Sequence, residues 1–262
     1  MTGTTRNITV GGTRRRFVAF DPPGPVSAII LSLHGSRSTA AGQIRLSRMQ
    51  RLSERANALV VFPQAIVPIG SGFEWDLDGD MGYLSQLVDE LRSHYPTPQD
   101  RVCITGMSGG ARMSCQFGAA QADAVAMVGA VAGLRGPGSR PLSRPVPVVA
   151  FHGTADRINP YSGSRTARWD ESVPEAAQRW AAANRVSLQP SEIAVSASLR
   201  RTTYGVEGRT GEVTLWTADG AGHTWPGGRL GLVLGMFLGR TTKEIDASDE
   251  TWAFAQRHST EP

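Results

Sequence analysis

The apolar residues of this chain fall in short, nearly unbroken runs rather than in alternation. "VSAIILSLHG" (26–35), "ALVVFP" (58–63), "RVCITGM" (101–107), "AVAMVGAVAG" (124–133) and "PVPVVAFHG" (145–153) are the clearest, with "EVTLWTADG" (212–220) the last. Runs of this length, several ending in glycine, predict strands buried on both faces. Between them the periodicity changes to that of helices. A stretch over 42–56 is helical in pattern. "MGYLSQLVDELRSHY" carries Leu84, Leu87, Val88 and Leu91 on one stripe, with Asp80 placed to cap it. Further helices are predicted after Ser108, near 171–184 and over "ASDETWAFAQRH" at the end. Strand and helix alternating in this way predict an α/β fold, with a mostly parallel sheet covered on both sides. No repeat or low-complexity linker interrupts the pattern, so residues 1–262 read as one domain.

Composition narrows the class. Of 262 residues, 40% are hydrophobic and 19% charged, the balance of an ordinary globular chain. The longest apolar run, "LGLVLGMFLG", falls short of the roughly 18 residues that a spanning helix needs. The first twenty residues lack the apolar core of a secretory leader, and the expected location is the cytoplasm. A net charge of +4 raises the question of nucleic acid. The cations argue against it, since they are scattered arginines with Lys243 the one lysine. Their densest group, Arg14 to Arg16, reads as a solvated strand edge. Cys103 and Cys115 offer neither a disulfide framework nor a metal signature and read as small buried groups. No cofactor motif or clustered metal ligands are present, so neither cofactor nor metal is expected.

In a parallel sheet, chemistry gathers at the carboxyl ends of the strands. Four such ends are informative. After "IILSL" comes His34-Gly35-Ser36, and after "VCIT" comes Gly106-Met107-Ser108-Gly109-Gly110. "PVVAF" leads into "HGTADRINPY" with Asp156, and "EVTLW" into "ADGAGHTWPGG" with His223. The pentapeptide alone is a weak signal in a chain with 30 glycines. The order Ser108, Asp156, His223, each at a strand end, is far more specific. A serine hydroxyl becomes a nucleophile when a base takes its proton, which His223 would do, with Asp156 orienting the imidazole. Asp219, in the histidine's own loop, is the rival acid. The oxyanion formed on attack needs preset donors: the amide of Gly109 and, from the loop after "LHG", that of Ser36. Ser108 as a simple helix cap, His152 as a packed core residue, His258 as a solvated one and His34 as a brace for the Ser36 loop complete the reading.

Five stretches, "LHGS", "DMGYL", "RVCITGMSGGARM", "HGTADRINPY" and "GHTWPGG…GRTTKEIDASDETWAF", together resemble the poly(3-hydroxybutyrate) depolymerase and feruloyl or acetylxylan esterase-like branch of the α/β-hydrolases. They run from Leu33 to Phe254, and "VGGTRRRFVAFDPPG" resembles that branch's first hairpin. The resemblance implies an α/β-hydrolase fold with a small lid or none, and Ser108, Asp156 and His223 as the triad. It implies hydrolysis of carboxylic esters through an acyl-enzyme, on small-molecule or oligomeric substrates. Two positions depart from it: Ser36 stands where relatives often carry cysteine, and Gly109 where asparagine or serine is common. A serine peptidase, an acyltransferase and a non-catalytic binding protein are the alternatives on the same fold.

Trp225, two residues beyond His223, and Trp75, in "GFEWD", are candidate walls of the substrate pocket, with core packing as the alternative for each. The run 229–242 comes directly after the histidine loop. Three readings stay open for it: an apolar flap over the site that uses Leu234 and Phe237, a packed core segment, or a homodimer contact.

Overall fold

The computed structural model describes residues 2–95, 101–229 and 232–258, with backbone alone for 232–234. The predicted runs form the middle of a ten-stranded sheet. Six strands are parallel: β3 (Ala28–Leu33), β4 (Ala58–Pro63), β7 (Val102–Met107), β8 (Met127–Val131), β9 (Val148–Gly153) and β12 (Val213–Ala218). In space they run β4-β3-β7-β8-β9-β12. Antiparallel strands extend both edges: β1 (Thr4–Val10) and β2 (Thr13–Phe20) beyond β4, β11 (Leu199–Tyr204) and β10 (Ser191–Ala194) beyond β12. A separate hairpin joins β5 (Val67–Ile69) and β6 (Gly72–Glu74).

Unbroken apolar strands are explained by a core on each face. Ile29, Leu31 and Leu33 of β3 point into one apolar cluster and Ile30 into the other; Val102 and Ile104 of β7 oppose Cys103 in the same way. The first face is closed by α3 (Asp80–His94), α4 (Gly109–Ala120) and α5 (Val173–Ala183), which contribute Leu84, Leu87, Phe117 and Trp180. The second is closed by the segment of α1 (Ala40–Ser47) and α2 (Leu52–Ala56) and by α7 (Ala247–His258), through Met49, Leu52 and Phe254. A further short helix, α6 (Leu232–Leu238), lies in the run after the histidine loop. Among the described residues no helix is long and apolar enough to cross a membrane.

Several local expectations are corrected. The stretch 42–56 is not one helix, because Arg48 adopts φ 55° and its N–H closes α1 on Ile44 O. Asp80 does not cap α3 but is its first residue, after Gly79. Its carboxylate is buried, accepting from Asp76 N (3.0 Å) and from Arg15 Nη2 (2.6 Å). Arg15 is therefore no solvated edge residue: its side chain is 5% exposed and its guanidinium lies 3.8 Å from the centre of the Tyr83 ring. Only its neighbours Arg14 and Arg16 face water. His258, expected in solvent, is also enclosed, with Nε2 3.1 Å from Glu212 Oε2 and its ring on Phe254.

The Arg15–Asp80 pair ties the first hairpin to α3, and removing one partner strands the other charge in the core. Asp80→Ala is expected to lower unfolding free energy by about 3–5 kcal/mol, read from urea denaturation. Arg14→Ala is expected to change it by less than about 0.5 kcal/mol.

Candidate active site

Ser108 sits between β7 and α4 with φ 54° and ψ −115°, a conformation that a non-glycine residue adopts only under constraint. The constraint is visible in its neighbours. A Cβ on Gly106 would stand 2.5 Å from the carbonyl carbon of Gly110, and one on Gly110 would stand 2.4 Å from Leu33 O. Only glycine allows strand and helix to meet at so sharp an angle. Ser108 makes no side-chain capping bond, so the simple helix-cap reading does not describe it.

The loop after β3 lies against this turn. A Cβ on Gly109 would meet Ser36 Oγ at 2.4 Å and Ser36 N at 3.1 Å, so the two backbones are nearly in contact. Gly109 opens α4 and its amide has no intrahelical acceptor. The Ser36 amide has no acceptor among the described residues. Two adjacent N–H groups beside Ser108 are thus available to a negatively charged oxygen.

His34 holds that loop. It is fully buried, and its Nδ1–H donates to Gly35 O (2.9 Å). Its Nε2 accepts from Ala65 N (3.2 Å) and Gln64 Nε2 (3.1 Å). Burial pushes its pKa down to about 4. Trp75 backs the same residue: its Nε1–H donates to His34 O (2.8 Å) and its ring lies 5.2 Å from the imidazole. Trp75 is thus packed as a support behind the loop, the core-packing alternative of its two readings.

On the far side of β8, His223 meets Asp156. His223 Nδ1–H donates to Asp156 Oδ2 at 2.7 Å, whereas Asp219 is exposed. The carboxylate also accepts at Oδ1 from the amides of Ile158 (2.8 Å) and Asn159 (2.9 Å). Burial alone would raise its pKa, but hydrogen bonds from His152 and His223 outweigh it and hold the carboxyl far below the usual carboxylate range. An ionised Asp156 can only accept, so Nδ1 of His223 carries the proton and Nε2 of a neutral ring is left as a base. Among the described residues, Ser108 Oγ makes no hydrogen bond; such contacts often tighten only when substrate binds.

His152 does more than the core packing expected of it. Its ring is packed against Tyr161 and Trp169, as a core residue's would be. Its Nε2 also lies 3.3 Å from Asp156 Oδ2 and 2.8 Å from Asn159 O, so the acid has a second imidazole partner. The spacing carries the signal, since His152 and Asp156 are four apart across a strand end. Trp225 takes the core-packing position of its two readings. It is wholly buried in the second core, with Nε1–H on Ser248 Oγ at 3.2 Å. Phe237 is 77% exposed on α6, with Met236 at 82%, while the side chain of Leu234 lies outside the described residues. Cys103 and Cys115 are buried and form no disulfide among the described residues, and burial pushes the Cys115 thiol up to about 12.

Comparisons with known proteins find similar chains and a similar fold. NocK of Nocardia uniformis subsp. tsuyamanensis, named as an esterase, is 26% identical over 280 aligned positions, covering 95% of this chain and 81% of NocK. The acetylxylan esterase/xylanase XynS20E of Neocallimastix patriciarum is 29% identical over 140 positions, 52% of this chain and 20% of that one. The structure of an acetyl xylan esterase from Aspergillus awamori superposes with a TM-score of 0.65 at 17% identity, covering 85% of this chain and 94% of that one. The chain shares the fold of that acetyl xylan esterase and is similar in sequence to proteins named as esterases. No family profile matches it.

The low pKa of His34 has a consequence for the protein's stability. The folded state holds the imidazole neutral at pH values where the unfolded chain binds a proton, so its contribution is full above about 6.5 and is lost as pH falls towards about 4. The loss is on the order of 3 kcal/mol. His34→Gln is expected to flatten this part of the stability–pH curve, measured by urea denaturation at pH 7 and pH 4.

Proposed function

We propose that this esterase hydrolyses carboxylic esters through an acyl-enzyme on Ser108, with His223 as general base and Asp156 as its orienting acid. The observation that carries the proposal is the 2.7 Å bond from His223 Nδ1 to Asp156 Oδ2, which leaves Nε2 as the ring's free base. His223 Nε2 takes the Ser108 proton as Oγ attacks the ester carbonyl, then returns it to the departing alcohol. Water attacks the acyl-enzyme by the same exchange. The amides of Gly109 and Ser36 bind the oxyanion at each stage. Asp156 stays ionised and stabilises the imidazolium.

The segment that includes α6 acts, in this reading, as an apolar flap. Its far end is joined to the histidine loop by His223 N–H to Leu238 O (2.6 Å) and Gly222 N–H to Arg240 O (2.9 Å). Met236 and Phe237 stand in solvent beside that junction, where an apolar acyl or aromatic group can cover them.

Ser108→Ala and His223→Ala are each expected to lower kcat by roughly 10⁴–10⁶-fold, and Ser108→Ala to abolish fluorophosphonate labelling. Labelling of Ser108→Ala at the normal rate would exclude Ser108 as the nucleophile. Gly109→Ala forces its methyl onto Ser36 Oγ and is expected to cost roughly 10²-fold in kcat, with part of the loss recovered in Gly109→Ala/Ser36→Ala. Met236→Ser/Phe237→Ser is expected to raise KM for long-chain p-nitrophenyl esters several-fold while acetate is little affected; an unchanged KM profile removes the flap.

A further inference from the structure

One helical turn beyond Ser108, a groove of about 660 Å³ runs along the outer face of α4. Three segments build it: α4 with Arg112, the stretch after β8 with Arg135 and Arg140, and the stretch after Asp156 with Arg168. Ser108 heads the first of these segments, while the third begins at the acid. Asp78 is the one acidic residue in the lining, and Gln116 already donates to it.

These cations are not used up by internal ion pairs. Among the described residues, Arg112, Arg140 and Arg168 have neither a carboxylate within 4.0 Å nor a side-chain hydrogen bond. Arg135 is paired through Nη2 to Asp170 (2.5 Å), but its buried Nη1 has no partner. The guanidiniums feel one another. Burial, then the charges of Arg168 and Arg135, make Arg112 a weaker base than usual, with Glu74 opposing. Arginine does not relieve such crowding by losing its proton, so a bound anion is what offsets it. Planar guanidiniums converging in a groove suit a carboxylate or a phosphate, which can accept two parallel bonds.

We propose that this groove is the subsite for an acidic group, carboxylate or phosphate, carried by the ester that Ser108 cleaves. The proposal rests on the esterase reading and adds a substrate class to it: esters with an anionic end. Arg112 and Arg168 contact the anion, and Arg135 is held in place from behind by Asp170 and by the Trp169 ring, 5.4 Å from its guanidinium carbon. That ring in turn lies against His152 (5.9 Å), the second partner of Asp156, so a chain of packed side chains links Arg135 to the acid.

The test compares esters differing only in charge. Mono-p-nitrophenyl esters of dicarboxylic acids from succinate to suberate place the anion on the acyl side, and 4-carboxyphenyl butyrate places it on the alcohol side. Each is paired with its methyl-capped, neutral form. The expected result is at least a tenfold higher kcat/KM for the acidic member of one series. That ratio should fall towards one in Arg112→Gln/Arg168→Gln and below one in Arg168→Glu, whose side chain is exposed and tolerant of change. Calorimetric titration with glutarate and with inorganic phosphate should show binding to the native protein that the double variant loses. Hydrolysis with no charge preference in either series overturns the proposal and leaves the esterase reading intact. Binding of free phosphate without such a preference assigns the groove to a separate anion and overturns it too. Failure to cleave any ester overturns the esterase reading instead, and the substrate assignment of the groove with it.

Discussion

The contact between the Ser108 turn and the loop after β3 is the constraint on which the rest of the site depends. With Gly110 pressed on Leu33 O and Gly109 on Ser36, two chain segments distant in sequence share a space that would not admit one extra carbon. That closeness forces Ser108 into its strained backbone and sets the two amides side by side. The strain is held by the parallel strands beneath, β3 and β7, which are paired from Ile29–Val102 to Leu33–Gly106. Behind the loop, His34, Gln64, Ala65 and Trp75 form a buried polar brace in which both ring nitrogens of His34 are satisfied. A buried network of this kind is stiff when complete and costly when broken.

The acid end of the site is organised by electrostatics rather than by crowding. Asp156 collects two backbone amides on one oxygen and two imidazoles around the other. Each donor favours the charged carboxylate, and together they overcome the cost of burying it. His152 serves the same turn from the strand side, bridging Asp156 and Asn159 O, while Asn159 Nδ2–H donates to Ala132 O (2.7 Å) beyond the end of β8. The Asp156 loop is thereby tied to the strand that lies between it and the strand leading to Ser108.

Much of this architecture is legible in the chain because buried strands and strand ends leave strong marks. The six parallel strands coincide with apolar runs, and Asp156 and His223 stand in the short loops that two of those runs lead into. The features that escape have a different physical basis. β10 has no buried residue, so no hydrophobic pattern marks it, and four of the six residues of β11 are arginine or threonine. Arg15 escapes because a buried guanidinium looks like any other arginine until its partner, 65 residues away, is known. His258 escapes for the same reason, its partner Glu212 being 46 residues distant. Trp225 and Trp75 lie near the expected loops but on the other side of them. Nearness along the chain says nothing of which face a side chain takes, and both indoles point inward to a polar acceptor.

The segment carrying α6 is closed at its base by rungs other than its own helix. Gly222 reaches Arg240, His223 reaches Leu238 and Gly227 reaches Thr242, each through a backbone bond of 2.6–2.9 Å. The stem is zipped whatever the loop above it contains. Lengthening such a loop costs little, since each doubling adds only about 0.6 kcal/mol of closure entropy. The tip can therefore gain, lose or exchange residues across generations while the histidine below keeps its place. In this architecture, what is recognised can drift while how it is broken stays the same.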